Sequence, residues 1–114
     1  MEEGSLKELR RRIRAPYRVR ARLEIVGSTN SGKGWPVTTC DANEWGIRIA
    51  SPKPVPRVSV LLRMPAPDGS ELTARGWVIH MHQPELDLWE AGIEFEARQP
   101  LLSTARIDLA NYGT

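Results

Sequence analysis

The residues from position 27 read GSTNSGKG: a glycine, four residues, a glycine and a lysine, close to a phosphate-cradling loop. That chemistry needs Ser or Thr after the lysine to reach magnesium, and position 34 is Gly. It also needs a helix directly afterwards, whose N-terminal amides face the phosphates. Trp35-Pro36-Val37 open a strand instead, so the segment is read as a hairpin loop. His80 and His82 share one face of an expected strand, and Cys40 would make a third metal ligand, but the spacing is not that of a zinc module. No Ser-His-Asp or Cys-His arrangement stands out, and the carboxylates are scattered without a marked acid–base pair. Neither catalysis nor a bound metal or cofactor is expected. The arginines differ. Residues 1–22 carry eight Lys/Arg against three Glu, whereas the other 92 carry eight against eleven Asp/Glu. Positive charge gathered in one short arm is the pattern expected where an anion is held. The alternative is a solvated helix face.

The elements that must position this arm follow from periodicity. A chain of 114 residues, 40% hydrophobic and 26% charged, suits a single domain over 1–114 with one core. The lone Cys40 points to a reducing cytoplasm, and no apolar run reaches the roughly 20 residues that span a bilayer. The charged N-terminus argues against export. Leu6, Leu9 and Ile13 fall at helical spacing in SLKELRRRI, a helical stretch that Pro16 should stop. The period then becomes two. Tyr17, Val19, Ala21, Leu23 and Ile25 alternate with arginines and Glu24, which predicts a half-buried strand. PVTTC and GIRIA flank DANEWG; VSVLLRM and ELTARGWVIHM are joined by PAPDGS, a turn sequence; WEAGIEF completes the set. Trp35, Trp77 and Trp89 are expected in the core or in cross-strand pairs. Leu102, Ala105 and Leu109 after Pro100 predict a short closing helix. The whole reads as an arm (1–16), a six-stranded antiparallel barrel (17–97) and a C-terminal helix and tail (98–114).

Arg10 to Arg14 form an RxxxR segment before the first strand, DANEWGIRI follows the second, and AGIEF ends a late strand. In order and spacing, over roughly residues 9 to 97, this resembles the PilZ domain, the bacterial family of cyclic di-GMP receptors. The family pattern is RxxxR, then (D/N)xSxxG, on a six-stranded barrel. Two departures stand out: Asn43 occupies the family's Ser position, and Trp45 a position often small. Arg14 to Arg18 is a second RxxxR, which leaves the register of the arm open.

The resemblance implies a cytoplasmic, non-catalytic receptor whose ligand is cyclic di-GMP and whose signal passes to a downstream protein partner. Arginine pairs bidentately with phosphate and with guanine O6 and N7, and its flat face stacks on a base. The implied ligand contacts are Arg10 and Arg14, with Arg11 and Arg12 as alternates. Asp41 would take the guanine N–H edge, or merely cap a turn. Asn43 would take a phosphate or sugar oxygen. Gly46 would allow close backbone approach or a positive φ, and Trp45 would stack on a guanine or obstruct the site. The alternative is a degenerate PilZ domain that has lost the nucleotide and works as a protein–protein interaction module. Arg18, Arg20 and Arg22, alternating outward on a strand, would flank the ligand or, in a third reading, form a basic stripe for RNA, but the acidic balance of residues 23–114 argues against nucleic acid.

Overall fold

The computed structural model describes residues 13–27 and 34–113. Its strands are β1 (Ala15–Pro16), β2 (Arg20–Ile25), β3 (Trp35–Ala42), β4 (Gly46–Ser51), β5 (Ser59–Pro65), β6 (Glu71–Glu85) and β7 (Leu88–Phe95). A 3-10 turn, Pro100–Leu102, and helix α1, Thr104–Tyr112, complete the described chain. The helical stretch expected over SLKELRRRI, with Arg10, Arg11 and Arg12, lies outside the described residues, as do residues 28–33 between β2 and β3. Among the described residues no helix is long and apolar enough to cross a membrane.

Strands β3, β2, β5, β6, β7 and β4 pair in that order, each antiparallel to the next, and β3 pairs with β4 to close the ring. This is the expected six-stranded barrel, and closure removes the edges that an open sheet would leave unpaired. The first strand is not the uninterrupted run from Tyr17 that alternation predicts. Its line along β3 is broken at Tyr17–Val19, with Ala15 opposite Ala42 before the break and Arg20 opposite Thr38 after it. The buried Thr39 causes the break. Its hydroxyl accepts from the Val19 amide at 2.9 Å and donates to the Tyr17 carbonyl, standing in for a ladder partner. The register between β3 and β4 also shifts between Thr39 and Asp41, a bulge that re-aims the end of β3.

Inward-facing residues of every strand fill the barrel: Leu23, Ile47, Ile49, Val60, Leu62 and Ile93 are all buried. Each such side chain contributes about 1.5–3 kcal/mol of transfer free energy. Leu102 and Ile107 join the same core from the 3-10 turn and α1. Ser103 caps α1 by accepting from the Arg106 amide at 3.2 Å, and Asn111 Nδ2 donates to the Pro16 carbonyl at 2.7 Å. The apolar face expected for this helix is corrected. Ala105 and Leu109 are exposed, and Ile107 is the residue of α1 that is buried, because Leu102 belongs to the preceding 3-10 turn and the helix starts two residues later. Trp77 also departs from expectation. Leu72, Ala74, Gly76 and Val78 take the inward positions of β6, so Trp77 faces out beside Ile79, each about half exposed.

Candidate functional site

The β3–β4 hairpin is built on Asn43. Its amide nitrogen donates to the Gly46 carbonyl at 3.0 Å, while its side-chain Oδ1 accepts from the Trp45 and Gly46 amides at 2.8 and 2.9 Å. This is the Asx geometry that asparagine favours in turns. The other end of the side chain faces the arm, where Nδ2 donates to the Ile13 carbonyl at 2.9 Å. Asn43 is 3% exposed, so the residue in the family's Ser position ties the arm to the hairpin through backbone contacts.

That tie places Arg14 beside Asp41. Arg14 Nε lies 2.8 Å from Asp41 Oδ1, and on the other side Arg48 of β4 reaches Oδ2 through Nη2 at 2.7 Å and Nε at 3.0 Å. Oδ1 is buried, yet Arg14 stands off its hydrogen-bonding line, so among the described residues this oxygen accepts no aligned hydrogen bond. The Arg48 guanidinium extends toward Glu90 at 3.8 Å, and Glu90 meets His82 Nε2 at 3.1 Å. Burial alone would lower the Arg48 pKa; the charge and hydrogen bond of Asp41, with Glu90 behind it, outweigh this and raise it. These pairs are partly exposed, so each contributes no more than about 1 kcal/mol.

Gly46 is required for packing. A Cβ there would meet the Ile93 carbonyl oxygen at 2.8 Å, so β4 lies against β7 only without a side chain at this point. Positive φ is confined to Gly27 and Gly69 among the described residues, which corrects the second expectation for Gly46. Beyond Gly46 opens a cavity of about 310 Å³ lined by Arg14, Trp45, Ile79, Phe95 and Arg98, with Glu94 and Glu96 also on its wall. The Phe95 amide donates to the Trp45 carbonyl at 2.8 Å, and the Gln99 amide to the Glu44 carbonyl at 2.8 Å, fixing the hairpin to the end of β7. Arg98 pairs with Glu44 and lies over the Trp45 ring, 6.0 Å from its centre.

Of the site residues read from sequence, Arg14, Asp41, Asn43 and Gly46 therefore come together around one hairpin. Arg10, Arg11 and Arg12 lie outside the described residues. Arg18 belongs to both the second RxxxR and the proposed basic stripe; it is exposed and does not line the cavity. Sequence reasoning missed Arg48 and Arg98. Arg48 had a signal, as the outward position of GIRIA two residues after Gly46. Arg98 had none, since only barrel closure brings the end of β7 to the hairpin. The histidine–cysteine idea has no geometric basis. Among the described residues no three metal-capable side chains gather, and burial pushes the Cys40 thiol pKa up, with Arg48 only partly offsetting it.

No protein-family model matches the chain, and no curated protein matches it in sequence. Among solved structures it is similar to the Bacillus subtilis inhibitor of motility (MotI/DgrA), at 9% identity with a TM-score of 0.64. The match covers 87% of this chain and 48% of the other, so the chain spans about half the length of that protein. At this identity the likeness shows the fold: a PilZ-like barrel.

Proposed function

We propose that this PilZ-like barrel is a non-catalytic cytoplasmic receptor that binds cyclic di-GMP beside the β3–β4 hairpin and passes the signal to a protein partner. The observation that carries the reading is the convergence of Arg14, Trp45, Gly46 and Arg98 on one cavity, with Asp41 paired to Arg14 behind its rim. Its volume is at the small end for ligand sites and suits one guanosine monophosphate half of the dinucleotide. Without ligand, Asp41 holds the Arg14 guanidinium at the rim. A phosphate competes for that guanidinium with bidentate geometry, and a freed Asp41 Oδ1 accepts from the guanine N1–H and N2 donors. Trp45 and Arg98 supply flat faces for stacking. Asn43 serves the site by positioning: its contacts to Ile13, Trp45 and Gly46 hold the arm on the hairpin.

A second reading, an interaction module without the nucleotide, draws on two observations. Glu94 and Glu96 line the cavity and repel phosphate, and Trp77 and Ile79 expose apolar surface next to it. Calorimetric titration with cyclic di-GMP, with GMP as control, separates the two. Saturable binding of the cyclic dinucleotide, lost in Arg14→Ala, supports the receptor. No heat with either ligand favours the interaction module.

A further inference from the structure

On the opposite wall of the barrel, β2 and β5 build a second positive site that shares no residue with the cavity by the hairpin. Arg22 and Arg63 stand directly opposite each other across the two strands, and Arg20 lies two residues before Arg22 on the same outer face. Directly opposed residues have Cβ atoms about 5 Å apart, and like charges so placed destabilise a sheet. Glu24, 3.7 Å from Arg63, offsets part of this. Among the described residues neither Arg20 nor Arg22 has an ion-pair partner. The three guanidiniums flank a groove of about 410 Å³, lined also by the exposed Pro65 and by Gly69 and Ser70 of the β5–β6 turn, while the side chains of Ala21 and Met64 turn inward to the core. The carboxylate on its lining is Glu71, so the groove carries an excess of positive charge.

We infer that this groove is a second anion site, which takes the phosphate of a small phosphorylated ligand of nucleotide size. The opposed forks of Arg22 and Arg63 can each present two N–H donors to one phosphate group, which removes the repulsion between them. Arg20 reaches a second anionic oxygen, and Pro65 with the aliphatic stems of the arginines offers apolar contact to a base or sugar. An open groove of this volume matches a mononucleotide, and its three arginines span too few strand positions to form the extended track that a nucleic-acid strand requires.

The test is calorimetry with pyrophosphate and with GMP, in an Arg14→Ala background so that the hairpin cavity does not contribute. A ten-nucleotide single-stranded RNA is the comparison. The inference expects saturable pyrophosphate binding, weakened at least tenfold by Arg22→Gln with Arg63→Gln. The same double substitution on the otherwise native chain leaves the cyclic di-GMP titration as it was. Thermal unfolding serves as the folding control, and because the pair is repulsive the double variant should melt no lower than its parent. If it does not fold, Arg22→Gln alone tests the same contact. Absence of saturable binding to pyrophosphate and GMP at millimolar concentration overturns the inference, as does affinity unchanged by the substitutions. Binding of the RNA without binding of pyrophosphate overturns it in favour of a nucleic-acid surface.

Discussion

Asn43→Ala should separate the arm from the hairpin, and its cost can be worked from the contacts. The substitution removes two acceptor contacts, to the Trp45 and Gly46 amides, and one donor contact, to the Ile13 carbonyl. Each such bond contributes about 0.5–1.5 kcal/mol net, and burial prevents full replacement by water. A loss of roughly 3 kcal/mol follows, which lowers Tm by on the order of 10 °C for a domain of this size. Asn43→Ser, which supplies the serine of the PilZ pattern, is the sharper comparison. A serine hydroxyl can still accept from a turn amide, but it is too short to reach the Ile13 carbonyl as well. About half of the loss should return as stability, while the contact to the Ile13 carbonyl stays lost. Urea unfolding measures the first effect, and amide exchange at Trp45 and Gly46 the second. Asn43→Ala within about 0.5 kcal/mol of the native protein, with unchanged exchange at both amides, would refute the reasoning.

Three further outcomes are expected. Gly46→Ala forces a Cβ to 2.8 Å from the Ile93 carbonyl and should cost about 1–3 kcal/mol in urea unfolding by separating β4 from β7. Ile107→Ala, at a fully buried position, should cost about 2–4 kcal/mol, whereas Leu109→Ser, at a position 68% exposed, should stay within about 0.5 kcal/mol; equal effects would contradict the observed phase of α1. Burial raises the Cys40 pKa above its ordinary 9.0, so the folded state disfavours thiolate. That contribution to stability is complete below pH 9 and declines as pH rises through the raised folded value. Cys40→Ala should remove this part of the alkaline loss, and native Cys40 should react with iodoacetamide at pH 8 more slowly than free cysteine.

Alternation was enough to read most of the barrel, because a strand half in the core writes its burial into every second residue. Ala21 and Leu23 against Arg20 and Arg22 is such a case. The place of the hairpin was legible too, as the polar DANEWG between two apolar segments. The turn cap, however, was read as Asp41, whereas Asn43 makes the Asx contacts and Asp41 stays in β3 between two arginines. What escaped depends on long-range closure. Thr39 is an ordinary strand residue until β2 lies beside it, and only then does its hydroxyl replace a backbone partner. Trp77 looked like core because of its size, but the pleat of β6 assigns sides by register. Arg98 acquires its place over Trp45 from the docking of the β7 end on the hairpin, a contact between residues 53 positions apart.

The central claim is that cyclic di-GMP binds at the β3–β4 hairpin, and amide and indole NMR shifts locate binding directly. On titration of ¹⁵N-labelled protein, perturbations should cluster at Asp41, Trp45 with its indole N–H, Gly46 and Phe95, in fast or intermediate exchange with one saturation curve. Arg14→Ala should abolish that curve while the rest of the spectrum remains dispersed. A spectrum that does not respond to the ligand, or one whose shifts lie away from this hairpin, would contradict the account.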